Sequence, residues 1–405
     1  MSFQQGLSGL FAAARNLDVI GNNVANANTV GFKEGGAVFA DVYANSLAGG
    51  GQSAPGIGVA VTSIEQNFVQ GNISTTSNPL DVAINGAGFF RMDSNGTINY
   101  SRNGQFHLDK DGYIVNATGE KATGYGVDAA GNIVISDAGP LKVSLAQLQA
   151  SSTATTSIGL NLDAREPTIT TPFSITDPTT YNKATSMSVY DSLGNSHAFN
   201  TYYVKTAANT WDVYGAIDGT ALPSALGTLQ FNSDGTLNAT SSALPFNVSV
   251  PLTTGATTPL AFTVDFNGAT QFGSQFGVNT LQQDGYSSGQ LSGYSIGNDG
   301  IIQGRYTNGQ TRTLGQFLLA NFPNPTGLQP LGGNAWAETA ASGQPVPGAP
   351  GSGNLGVVQS GAVEESNVDL TQELVNMITA QRVYQANAQT IKTQDAVMNT
   401  LVNLR

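Results

Sequence analysis

Between Ser2 and Val24 the chain reads SFQQGLSGLFAAARNLDVIGNNV, and within it Phe3, Leu7, Leu10, Ala14, Leu17, Gly21 and Val24 recur at alternating steps of four and three. That spacing keeps small or apolar side chains on one stripe of a helix, the a/d seam of a coiled coil. Toward the other end Leu370, Leu374, Met377, Gln381, Tyr384, Ala388, Ile391, Asp395, Met398 and Val402 keep the same spacing, with polar interruptions at Gln381 and Asp395. A surface helix packed on its own domain would explain either stripe alone. The matched pair points to terminal helices that pack on each other and on neighbouring subunits, so the seam residues are the expected subunit interface.

The first helix is expected to start at Ser2, with Gln5 reaching back in a capping box, and to run to about Val24. Gly6, Gly9 and Gly21 inside it each cost up to about 1 kcal/mol relative to Ala. Alone, such a helix is marginal. The second is expected to open near Asp369, with Asp369 and Gln372 as a variant capping box and Glu364, Glu365 and Glu373 favouring the positive end of its dipole.

Between the helices the pattern is β. From Val82 to Val134 short apolar segments alternate with Asn85-Gly86, Asn95-Gly96, Asn103-Gly104, Asp111-Gly112 and Gly131-Asn132, which predicts a series of hairpins. Leu291 to Leu331 reads the same way around Asp299-Gly300 and Asn308-Gly309. The Thr/Ser/Pro-rich stretch from Ser151 to Thr185 looks like a linker into a separate domain. Its strands are expected around Met187–Val189, 200–204, Trp211–Val213 and Leu229–Phe231. Gly49 to Gly58 and Gly343 to Gly356 read as aperiodic loops or hinges.

The expected fold is mainly β with α-helical termini. Two β domains of barrel or sandwich type are nested in series, and the helices form a coiled-coil-like layer. The expected boundaries are 1–28 with 365–405 for the helices, 29–70 for a connector, 71–147 with 285–364 for the first β domain, and 148–284 for an inserted outer β domain.

Composition narrows the function. Over 405 residues, charged side chains make up only 10% and Gly contributes 49, so the surface is largely neutral and polar. A formal charge of -12 argues against nucleic acid, whose binding needs clustered basic residues. With no cysteine, neither a disulfide nor a thiolate metal site can form. No apolar run approaches the roughly 20 residues of a membrane span, and no basic-then-apolar leader opens the chain, so if the protein is exported, export without a cleaved Sec-type signal is expected.

No catalytic, cofactor or metal site is expected. The Asp93 and Asp109 turns lack the glycine and glutamate spacing of an EF-hand and read as hairpin turns. His107 and His197 lie far apart in strand-like contexts and read as structural. Gly86-Ala87-Gly88-Phe89 lacks the third glycine and following helix of a dinucleotide fingerprint.

Ala14 to Lys33, containing Asn22-Asn23-Val24-Ala25-Asn26 and Gly31-Phe32-Lys33, resembles the N-terminal signature of the bacterial flagellar rod and hook protein family. Thr371 to Lys392 resembles that family's C-terminal helix, and Asp81 to Phe90 the opening of its first β domain. The inserted domain and the short connector from Glu34 to Pro79 are similar to hook rather than rod members, with a distal rod subunit as the alternative and an extracellular adhesin as a rival of another class. The resemblance implies a self-assembling, curved, flexible helical tube outside the cell, with helices lining its channel and the inserted domain outermost. Such a tube transmits torque as a universal joint. Implied partners are copies of the same chain, the distal rod, hook–filament junction and hook cap proteins, and the flagellar type III export apparatus.

Overall fold

The computed structural model describes residues 2–42 and 56–403. Most of the Gly49–Gly58 run lies outside them. The protein is mainly β, with helices α1 (Ser2–Ala25) and α3 (Leu370–Asn403) at its ends and, among the described residues, one short internal α-helix, α2 (Ala239–Ser242). It divides into two compact units: Met1–Ser144 with Tyr294–Gly304 and Arg312–Arg405, and Leu145–Gly293 with Arg305–Thr311.

In the first unit the sheet centres on Lys121–Val127, flanked by Phe89–Ser94 and 312–317, and continues through Thr97–Ser101 and Ala335–Ala337 to Gln329–Gly332. Asn95-Gly96 closes the Phe89–Ser94/Thr97–Ser101 hairpin with both turn residues at positive φ, as an Asn-Gly turn requires. Asn85-Gly86 does not close a hairpin, because Val82–Asn85 pairs with the distant Val357–Ser360. Part of the Gly343–Gly356 run is also strand, Val346–Gly348 pairing with Leu319–Asn321. Phe89, Tyr100, Phe322 and Trp336 form one buried cluster, with ring pairs edge to face.

The expected connector is not a bare hinge. Within it β1 (Gly35–Val42) and β2 (Gly58–Gln66) form an antiparallel ribbon that packs on α1. An isolated two-stranded ribbon is marginal in water, so the helix supports it. Gln5 is drawn into this contact: its Nε2 donates to the Gly56 carbonyl at 2.6 Å instead of reaching back to cap the helix.

The second unit has a four-stranded sheet in the order Phe246–Val250, Leu260–Asp265, Thr155–Asn161, Gly277–Gln283, and a five-stranded sheet around Lys183–Tyr190, Ser196–Ala207 and Thr210–Ile217. Both contribute to one core containing Ile158, Leu160, Phe199, Tyr203, Trp211 and Phe262. The expected Ser151–Thr185 linker is corrected here. Thr155–Asn161 is an inner strand, parallel to Leu260–Asp265 and antiparallel to Gly277–Gln283. Buried Ile158 and Leu160 hold it in place despite its hydroxyl-rich flanks.

Candidate functional site

The helices meet along a line of small residues. An added Cβ on Gly6 would lie 3.3 Å from Ile391 Cγ1, and one on Gly9 2.8 Å from Asn387 Oδ1. Asn23 Nδ2 donates to Glu373 Oε2 at 3.2 Å. Positions 6, 9 and 23 thus meet 391, 387 and 373, so α1 and α3 run antiparallel. The line on α1 continues through Ala13, Asn16 and Ile20, which with Thr379, Ala380 and Val383 line a groove of about 560 Å³. Glycine lets the backbones approach, which explains residues that weaken an isolated helix.

This line lies one residue, or about 100°, round the helix from the seam read in the sequence. The seam residues consequently face largely away from the intrachain contact. Phe3 is 49% exposed, Leu7 37%, Leu370 45%, Leu374 45%, Tyr384 37% and Met398 61%. Gln381 is also exposed, whereas Leu10, Ala14, Leu17, Val24, Met377, Ala388 and Ile391 are half-buried. Ile391 also faces Gly6, so it serves both lines. Val402 belongs to α3, but its side chain lies outside the described residues. Beyond Ile391 the helix continues for about three turns, and every residue from Asp395 to Thr400 is exposed.

At its start α3 is capped as expected by Asp369, whose Oδ1 accepts from Thr371 N at 2.8 Å and Gln372 N at 3.1 Å. Gln372 does not complete a box, because its side chain donates to Asn376 Oδ1 at 3.1 Å.

Where the helices join the β core, charges are buried. Glu364 Oε1 accepts from Lys33 Nζ at 2.6 Å and Oε2 from Arg102 Nη1 at 3.1 Å, with the Lys33 and Glu364 side chains 0% and Arg102 4% exposed. Gly71 N also donates to Glu364 Oε1, at 3.0 Å. Lys33 reaches the Val69 carbonyl and Arg102 the Gly86 carbonyl, each at 2.9 Å. Burial lowers the pKa of both Lys33 and Arg102, and the Glu364 carboxylate opposes that shift. Asn23 brackets Gly35, accepting from its N–H at 2.9 Å and donating to its carbonyl at 2.8 Å. Asn367 Oδ1 accepts from Glu34 N at 2.7 Å. Gly31, at φ +72°, packs against residues 102 and 103 so closely that a Cβ would lie 2.6 Å from Asn103 N. Sequence reading missed this junction. Its one signal was Lys33, which stands beside Glu34, and nothing local marks Arg102 or Glu364 as its partners.

Segments 3–33, 161–286 and 359–404 match family models described, in that order, as flagella basal body rod protein, flagellar basal body protein FlaE D2 domain, and flagellar basal body rod FlgEFG protein C-terminal. Over 416 aligned residues the chain is 46% identical to the flagellar hook protein FlgE of Salmonella typhimurium, with 100% of both chains covered. The chain belongs to the flagellar hook protein family. Another hook relative, from Escherichia coli strain K12, is 45% identical over 414 residues, again with both chains covered in full. The solved Helicobacter pylori hook protein FlgE2 shares the fold at a TM-score of 0.56 and 14% identity, across 72% of this chain and 100% of that one. The hook family is structural, so the signature from Ala14 to Lys33 belongs to architecture: it supplies Asn23, Gly31 and Lys33 to the junction.

Proposed function

We propose that this chain is the repeating subunit of the bacterial flagellar hook. Copies polymerise into a curved, flexible helical tube that passes torque from the rod to the filament as a universal joint. The observation that carries this reading is the division of labour on the helices. A line of small residues is spent on the intrachain pair, while the apolar seam one residue further round is left for neighbouring copies. In the tube, Phe3, Leu7, Leu10, Ala14, Leu17 and Val24 of α1 and Leu370, Leu374, Met377, Gln381, Tyr384, Ala388, Ile391, Met398 and Val402 of α3 form the subunit interface.

Torque needs an axially continuous packed layer, which interleaved helices supply. Bending needs subunits to lengthen and shorten in turn, and the neutral polar surface of the outer β domain suits sliding better than locked ion pairs. The distal rod, hook–filament junction and hook cap proteins are the proposed partners, and the flagellar type III apparatus the proposed route of export. The test is the pair Leu10→Asp and Leu374→Asp. Each places a carboxylate where the tube would bury it, so both should abolish assembly, while the β units' melting is expected to stay within about 0.5 kcal/mol of wild type. Normal tubes from both variants would defeat the reading.

A further inference from the structure

Among the described residues α3 packs mainly on α1, and α1 on α3 and on the β1–β2 ribbon. Between α1 and the hairpin at Gln329–Ala337 lies an open cleft of about 520 Å³, lined by Asn22, Asn26, Gly333 and Trp336. The helix pair is thus not seated on the main sheet by a broad apolar face. Its attachment is concentrated where the chain leaves α1 and where it approaches α3, and the Lys33–Glu364–Arg102 group lies at that point.

The three side chains come from three segments far apart in sequence. Lys33 follows α1, Glu364 precedes α3, and Arg102 stands just past the strand Thr97–Ser101. Each carboxylate oxygen of Glu364 is assigned to a different cation, and Gly31 N donates to the Glu364 carbonyl at 2.8 Å. Both chain crossings are therefore tied to one another and to the core through a single side chain. Directional bonds fix an angle in a way that apolar contact does not.

As a source of stability the group is poorly arranged. It buries two formal cations with one carboxylate, and Arg102 Nε has no hydrogen-bond partner among the described residues, only the face of Phe89 with its ring centre 5.3 Å from the guanidinium carbon. Desolvation of buried charges commonly outweighs their attraction, and apolar replacement of a whole buried group is often neutral or stabilising. Its presence calls for a reason other than stability.

We propose that Lys33, Glu364 and Arg102 are positioning residues that fix the angle of the α1–α3 pair on the β core, so that in the tube rotation of the helical layer is passed to the β layer without slip. This rests on the reading of the chain as a hook subunit.

The test compares wild type with K33M/R102M/E364Q, in the full chain replacing the native copy in its own bacterium. The triple variant removes every charge, while the amide oxygen it places at position 364 can still accept from Gly71 N. Purified subunits give the melting temperature; isolated tubes give helical symmetry from cryo-electron microscopy and torsional stiffness from thermal fluctuation. The expected result is a melting shift under about 5 °C together with tubes of mixed symmetry or severalfold lower torsional stiffness. Triple-variant tubes identical to wild type in both respects would overturn the proposal. If the triple variant does not fold, Glu364→Asp carries the test: it keeps the charge but shortens the arm by one methylene, and the same loss of stiffness is expected from a folded subunit, with unchanged stiffness overturning the proposal. A wild-type chain that forms no tube would remove the hook reading itself, whereas normal wild-type tubes with indistinguishable variant tubes would remove only the positioning role.

Discussion

Gly9 of α1 and Asn387 of α3 approach until a Cβ on the glycine would lie 2.8 Å from the asparagine Oδ1 and 3.0 Å from its Cγ. The antiparallel helix pair therefore depends on what is missing from one helix. Large apolar side chains at Phe3, Leu7 and Phe11 are left outside the contact, each at least 37% exposed.

The consequence for substitution is graded. Gly9→Ala should be tolerated, because the atoms it meets are the far end of a flexible side chain and alanine gains up to about 1 kcal/mol of helix propensity. Gly9→Leu cannot be absorbed in this way, and overpacking is expected to cost the helix pair about 1–3 kcal/mol. Hydrogen exchange should show α1 and α3 opening more readily in Gly9→Leu while the β strands keep wild-type protection. Equal loss of protection in helices and strands would show that the helices belong to the main core.

The helices were legible because a period of 3.5 survives in sequence, and the hairpins at Asn95-Gly96 and Asp111-Gly112 because their turns place Asn95, Gly96 and Gly112 at positive φ. The partner line was not legible. Gly6, Gly9 and Ala13 carry no hydrophobic signal, so the larger residues beside them drew the seam to the adjacent register. The strand Thr155–Asn161 was lost in its Thr/Ser surroundings, since its place depends on strands more than a hundred residues away. The buried junction is hidden for the same reason, as Lys33 and Glu364 are 331 positions apart.

In the free subunit the helix pair should open well before the β units, because an interface built largely on small and polar residues buries little apolar surface while the apolar stripes stay wet. Residues 2 to about 30 and 365 to 403 are expected to order fully only on assembly. Brief trypsin treatment of a verified monomer should cut first at exposed Arg15, Arg382 and Lys392 and spare buried Lys33 and Arg102. Uniform resistance up to both ends would contradict this.

In the second unit His197 is nearly buried between two carboxylates, its Nδ1 2.6 Å from Asp218 Oδ2 and its Nε2 3.4 Å from Asp191 Oδ2. Burial pulls its pKa down, but the hydrogen bonds to Asp218 and Asp191 outweigh this and raise it above the ordinary 6.5. The stabilisation from protonated His197 is therefore complete below about 6.5 and lost as pH rises through the raised folded value. Burial raises the pKa of Asp191, yet bonds led by that to Asn195 bring it down to about 2, so its contribution is lost as pH falls from the ordinary 3.8 toward that value. His197→Gln should flatten the alkaline side of the unit's stability profile and leave an acid limb in place. Thermal melts across pH, followed by the fluorescence of buried Trp211 in a Trp336→Phe background, check it. An unchanged alkaline side in the variant would count against the assignment.

Most of the inserted unit, residues 149–288, should be removable. Leu148 N donates to the Gly289 carbonyl at 2.8 Å and Gly289 N returns a bond to Leu148 at 3.1 Å, so the outgoing and incoming chains lie side by side and a short turn can join them. If axial continuity resides in the helices and the first β unit, a chain lacking residues 149–288 should still polymerise. In the proposed tube the deleted unit is outermost, where small differences in lateral contact length are converted most strongly into bending. The shortened tubes should thus lose a defined superhelical curvature or become mechanically weaker. Curvature of the intact tubes should depend little on moderate salt, because the ion pairs with both partners at least partly exposed in this unit, among the described residues, are Arg165–Asp163 and Lys183–Glu166. Electron micrographs of both tubes over a salt series, with circular dichroism to confirm that the first unit is folded, measure this. Failure of the folded, shortened chain to assemble would place essential contacts in the inserted unit and end this division of labour.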